Sequence, residues 1–129
     1  MVAINPPMKL HLTQGAGQNI FTAYGEGYVL VNQQRFETSV IVMPDQLISD
    51  WSPRALDQLT EAHFAEIAAL QPEIVLLGTG KLLRFPHPRL SNPLTQARIG
   101  FEVMDTYAAA RTYNILMGEG RRVAAALIL

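Results

Sequence analysis

Between residues 19 and 43, apolar positions come in short runs parted by turn formers. Gly25-Glu26-Gly27 precedes Tyr28-Val29-Leu30-Val31, and Asn32-Gln33-Gln34 precedes Phe36. That pattern predicts strands joined by tight turns, a β-hairpin region on the N-terminal side. From residue 40 the alternation gives way to the continuous run Val40-Ile41-Val42-Met43, as in a strand covered on both faces, and Pro44-Asp45 ends it.

Beyond residue 50 the period lengthens. Ser52-Pro53 reads as a helix start, with the Ser oxygen as cap, Pro at the first helical position, and Leu56 and Leu59 on one side. Thr60 reads as the cap of a second helical segment. There Phe64, Ile67 and Ala68 share a face, and Gln71-Pro72 closes it. Residues 73–77 form a short buried strand that runs into Gly78-Thr79-Gly80. The following 81–93 segment holds three prolines, which predicts a stiff, irregular loop, with a short helix over 92–98.

A further strand over 99–104 leads to Asp105, a natural cap for an Ala-rich helix that ends near Met117. Ala109, Ala110, Tyr113, Leu116 and Met117 form its apolar stripe. The chain finishes in Val123-Ala124-Ala125-Ala126-Leu127-Ile128-Leu129, too apolar for a sheet edge and therefore an interior strand. Strands first, then alternating strands and helices, predict an α/β domain with a mixed sheet and helices on its faces. Residues 19–129 form that single domain, behind a loosely held start over residues 1–18.

With 129 residues the chain is long enough for one core, and the hydrophobic fraction of 49% is high enough to fill it. Ten Lys and Arg against eleven Asp and Glu give a net charge of −1, so no overall field favours nucleic acid or an anionic bilayer. The absence of cysteine removes disulfides, thiol catalysis and thiolate metal sites. No apolar stretch reaches the roughly 18 to 20 residues of a membrane helix, so no membrane insertion is expected. The first residues carry neither a signal-peptide nor a transit-peptide pattern, and the expected location is cytoplasmic.

Chemistry has one plausible address. Loops that follow neighbouring parallel strands converge at one sheet edge, which brings Gly78-Thr79-Gly80 towards Asp105-Thr106. The glycines admit a ligand to the backbone and the two threonine hydroxyls can donate to it. The same residues also suit a tight turn and a helix cap. A P-loop would need Gly at Val75 and Ser or Thr at Leu82, and a dinucleotide fingerprint fails at Leu82 and Leu83. Lys81, Arg84, His87 and Arg89 make the next loop basic, fit for an anion, for an acidic partner surface or simply for water.

His63 and Glu66 share a helix face but lack a second pair to complete a metal shell, and His11 and His87 have no catalytic companion. No Gly-x-Ser-x-Gly appears. Catalytic residues, metal ligands and cofactors are therefore not assigned. Tyr107, Arg111 and Asn114 form a polar line along the last helix, and with Arg89 and Trp51 they are the candidates for an interaction surface.

Leu77-Gly78-Thr79-Gly80, Met104-Asp105-Thr106, Ala110, Thr112-Tyr113-Asn114, and Glu119-Gly120-Arg121 followed by Val123 and Ala124 together carry a likeness. With Trp51 and the 35–43 strand, the chain resembles, roughly from Ile20 to its end, a family of small single-domain proteins. That family includes the mitochondrial respiratory complex I assembly factor 3 and the adipogenesis-associated domain protein. The resemblance implies a three-layer fold around a central mixed sheet with one strand antiparallel to the rest. It also implies a cleft near Gly78, Thr79, Gly80, Asp105 and Thr106, and it brings no established reaction.

Two readings of function follow. The first is a non-enzymatic interaction or assembly protein with a protein partner, linked by the resemblance to respiratory complexes and using Arg84, Arg89, Tyr107 and Arg111. The second is a binder of a small anionic ligand, or an enzyme, in which Thr79, Asp105 and Thr106 line the pocket and Lys81 or Arg84 holds the anion.

Overall fold

A computed structural model describes residues 8–9 and 17–129. The loosely held start expected over 1–18, and His11 within it, fall largely outside the described residues.

The described strands make two sheets. A small antiparallel sheet runs in the order β1 (Met8–Lys9), β2 (Phe21–Gly25), β3 (Tyr28–Val31), β4 (Gln34–Phe36). Its turns are the ones the sequence announces. Glu26-Gly27 joins β2 to β3 with Gly27 at φ 78°, and Asn32-Gln33 joins β3 to β4 with both residues at positive φ, as a two-residue hairpin of matching twist requires. The central sheet contains β5 (Val40–Met43), β6 (Gln46–Ile48), β7 (Ile74–Gly78), β8 (Gly100–Met104) and β9 (Val123–Leu127) in the order β6-β5-β9-β7-β8. β7 is parallel to both β8 and β9, and β5 runs antiparallel to both of its neighbours.

The C-terminal strand lies in the middle of the central sheet, with all five residues buried. Side chains alternate across it. Val123, Ala125 and Leu127 join Val40, Val42 and Leu76 on one face, under α3 (Thr106–Gly118) and the small sheet. Ala124, Ala126 and Ile128 join Ile41, Met43, Val75 and Leu77 on the other, under α1 (Glu61–Ala69) and α2 (Asn92–Gln96). The small alanines of β9 let both layers approach the sheet closely. The three-layer α/β architecture with its central mixed sheet and N-terminal hairpins is therefore as expected.

Two local features differ from expectation. The segment opened by Ser52-Pro53 is not an α-helix; only a 3₁₀ turn forms, at Leu56–Gln58. The backbone is held elsewhere: Trp51 N donates to Ser39 O, Ser39 Oγ donates to Pro53 O, and Ser52 Oγ hydrogen-bonds His63 Nε2 at 2.8 Å. Trp51, Leu56 and Leu59 then pack as an irregular strap over the α1 face of the sheet. The second is β6, a three-residue edge strand after the Pro44-Asp45 turn that the sequence pattern did not reveal.

Thr60 caps α1 as its position suggests. His63 completes the capping box, since its Nδ1 accepts from Thr60 N at 2.9 Å. An accepting Nδ1 leaves the proton on Nε2, which donates to Ser52 Oγ. The His63 ring is thus held by structural bonds on both nitrogens.

Candidate functional site

The Gly-Thr-Gly loop and the start of α3 do meet, as the topology requires, and their polar groups are turned towards each other. Thr79 N donates to Met104 O, Thr106 N to Gly80 O, and Ile128 N to Gly78 O. The Thr106 hydroxyl accepts from Gly80 N at 2.8 Å and donates to Ile128 O at 2.7 Å, joining β7, α3 and the chain beyond β9. Asp105 Oδ1 accepts from Tyr107 N and Ala108 N, so the first free amides of α3 are capped.

Gly78 is required by proximity. A Cβ there would stand 2.7 Å from Leu127 Cδ2 and 2.9 Å from both Cα and Oγ1 of Thr106. Gly80 is required by conformation, with φ at 92°. The two glycines therefore serve a close crossing and a turn.

Thr79, which is buried, faces the other way. Its hydroxyl donates to Leu82 O at 2.7 Å and accepts from Arg84 N at 3.2 Å, pinning two points of the loop that follows. Past those pins the chain runs Phe85-Pro86-His87-Pro88, and His87 Nδ1 accepts from Arg89 N to open a 3₁₀ turn at Pro88–Ser91. The loop is thereby fixed in shape while Leu82, Leu83 and Phe85 stand in solvent.

A cleft of about 240 Å³ lies beside the junction, lined by Glu26, Gly27, Gly80, Lys81, Thr106, Tyr107, Ile128 and Leu129. Of the seven pocket candidates it therefore includes Gly80, Lys81 and Thr106. Gly78, Thr79 and Asp105 are engaged behind it. Arg84 is turned to Asp57 Oδ1 at 3.1 Å, and Lys81 spans the mouth to Glu26 Oε1 at 3.6 Å.

The surface candidates divide in the same way. Trp51, 3% exposed, and Asn114, 7% exposed, are interior residues. Asn114 reads the backbone of β2 like a neighbouring strand: Oδ1 accepts from Phe21 N at 3.0 Å and Nδ2 donates to Phe21 O at 2.8 Å. Tyr107 stacks on Tyr24 with ring centroids 5.0 Å apart, and Arg111 Nη1 donates to the Tyr24 hydroxyl. Arg89 is exposed. In the core beside this cluster, burial pushes the Tyr113 phenol well above its usual range, with the Asp45 carboxylate adding to the effect; the hydroxyl donates to Asn19 O at 2.9 Å.

Sequence reasoning passed over Leu82, Leu83 and Phe85. One signal was present, three large apolar residues among breakers, outside any periodic element that would bury them. It also passed over Asn19, whose side chain donates to Met43 O and Gln46 O and ties the small sheet to the β5–β6 turn.

The fold that holds this junction is shared with solved structures, among them a Bordetella pertussis protein described as an Mth938-like domain. It is 36% identical with a TM-score of 0.78, over 93% of this chain and 91% of that one. A Bordetella parapertussis protein of known crystal structure is 42% identical with a TM-score of 0.82, over 88% and 97% of the two chains. Residues 21–128 match the family model described as a protein of unknown function (DUF498/DUF598), and the chain belongs to that family. Among named relatives, the mouse NADH dehydrogenase [ubiquinone] 1 alpha subcomplex assembly factor 3 is 34% identical over 104 residues, 79% of this chain. The chain spans 55% of that relative's length.

Proposed function

We propose that the protein is a non-enzymatic assembly or interaction factor that holds a protein partner. One observation carries this reading: the polar side chains of the Gly78-Thr79-Gly80 and Asp105-Thr106 junction are all engaged within the chain, and the Thr79 hydroxyl pins a solvent-facing loop at Leu82 O and Arg84 N. Hydroxyls that already donate and accept within the chain have little left for a substrate. Large apolar side chains on a fixed loop suit binding, because little entropy is lost when they dock. The mouse relative's name, an assembly factor for NADH dehydrogenase, supports the same reading and suggests a respiratory-complex subunit as partner.

Affinity capture from cells at native expression tests it: one partner should return reproducibly, and repeatedly empty captures count against the proposal. The cytoplasmic location belongs to this reading and is checked by cell fractionation. Among the described residues, no helix is long and apolar enough to cross a membrane.

The cleft beside Lys81 favours a second reading, a small anion held at its mouth. Binding would have to compete with Glu26 for the Lys81 ammonium. Thermal-shift titration with phosphate, sulfate and small carboxylates decides it: no stabilisation at millimolar concentration rejects the anion site.

A further inference from the structure

The loop after Thr79 combines three properties. It is apolar at its tip, with Leu82 69%, Leu83 52% and Phe85 72% exposed. It is basic: residues 81–89 contain Lys81, Arg84 and Arg89 and no Asp or Glu, whereas the rest of the chain sets seven Lys and Arg against eleven acids. The net charge of −1 conceals this separation. Third, the loop is stiff, pinned by the Thr79 hydroxyl at Leu82 O and Arg84 N and braced by Pro86 and Pro88.

Resting on the assembly reading, we infer that residues 81–89 are a preorganised docking finger, and that its partner is a different protein presenting an apolar pocket rimmed by carboxylates. Leucine and phenylalanine anchors beside the exposed, unpaired Arg89 call for a complementary apolar pocket with carboxylates at its rim. A fixed loop suits a partner of matching shape, because little entropy is lost when its anchors dock. The charges agree. Lys81 and Arg84 already lie against Glu26 and Asp57, which weakens attraction to a diffuse anionic surface. Arg89 makes no ion pair among the described residues, and it remains for localised carboxylates on the partner.

The test uses the full chain at native expression in its own host, with the photoreactive p-benzoylphenylalanine in place of Phe85. Irradiation should give one dominant protein adduct, mapped by mass spectrometry to apolar residues flanked by Asp or Glu. Its yield should fall about tenfold or more in Arg89→Glu and in Leu82→Ser, as expected for loss of an interfacial charge or anchor. Both positions are exposed, so thermal unfolding should stay unchanged in these variants. Adducts to lipid, to a second copy of this chain, or scattered over many proteins would overturn the inference, as would an unchanged yield in Arg89→Glu. If affinity capture returns a partner while the position 85 probe labels nothing, the assembly reading stands on another face and the docking finger falls.

Discussion

Adding one methyl group at Gly78 tests how tightly α3 crosses the end of β7. The new Cβ would lie 2.7 Å from Leu127 Cδ2 and 2.9 Å from Thr106 Cα, whereas carbons at rest sit about 3.5 to 4.0 Å apart. Leu127 is fully buried and cannot swing away, and Thr106 Cα is backbone in the first turn of α3. Relief therefore requires the helix start to move by roughly 0.6 to 1 Å from its contact. Overpacking of this kind costs about 1 to 3 kcal/mol. The shift also stretches the two Thr106 hydroxyl bonds, each worth about 1 kcal/mol, so Gly78→Ala should destabilise by ~3 kcal/mol.

Urea unfolding followed by the fluorescence of Trp51, the single tryptophan and a buried one, reads this directly. With a slope near 2 kcal/mol per molar, the midpoint should drop by about 1.5 M. Gly100→Ala is the control, because its nearest neighbour is the side-chain Ile74 Cγ1 at 3.3 Å, which can give way; it should stay within about 0.5 kcal/mol of wild type. A Gly78→Ala protein as stable as the Gly100→Ala control would refute the argument that close crossing dictates this glycine.

Other outcomes follow from individual side chains. Thr106→Val strands Gly80 N and Ile128 O and should cost about 2 to 3 kcal/mol in the same urea assay. Asn114→Asp replaces the donor facing Phe21 O with a carboxylate oxygen, so the variant should lose stability at neutral pH and regain part of it on acidification, measured by thermal unfolding at pH 7 and pH 4. Tyr113 has a raised folded-state pKa, so its contribution is complete below the ordinary value of 10.0 and is lost above it. Stability should fall by ~1.4 kcal/mol per pH unit beyond that point until the folded-state pKa is reached, and absorbance at 295 nm should show the Tyr113 phenol ionising above its ordinary range. Glu73 has the opposite sign: the Arg122 backbone amide and then Arg121 hold its pKa below 4.5. Its support is therefore present above that value and disappears as pH falls through the folded-state pKa, visible in a carboxyl NMR titration.

The elements legible in the sequence were those whose local pattern and tertiary role coincide. The apolar run of β9, the Asp105 cap and the Thr60 cap each announce a structure that packing then uses. Ser52-Pro53 misled because capping propensity is weak beside tertiary bonds: Ser39 and His63, on neighbouring elements, claim that stretch. Asn114 reads as a polar surface residue until its partner, the Phe21 backbone 93 positions away, is known. At the junction, the sequence placed Gly78, Thr79, Gly80, Asp105 and Thr106 together but could not tell whether their hydrogen bonds point outward to a ligand or inward to the chain. That direction depends on the approach of Ile128 and Leu82, which no spacing encodes.

The Thr79 hydroxyl pins the loop after β7 at Leu82 O and Arg84 N, and the proposed docking role depends on that pin. Residue-resolved hydrogen exchange at the Arg84 amide tests it most directly, in wild type, Thr79→Ser and Thr79→Val. The amide should be protected in wild type and in Thr79→Ser, which keeps the hydroxyl. In Thr79→Val it should exchange near the unprotected rate while the amides of β7 remain slow. Equal protection in Thr79→Val would mean that the hydroxyl does not hold the loop and remains available to a ligand, and the account would be contradicted.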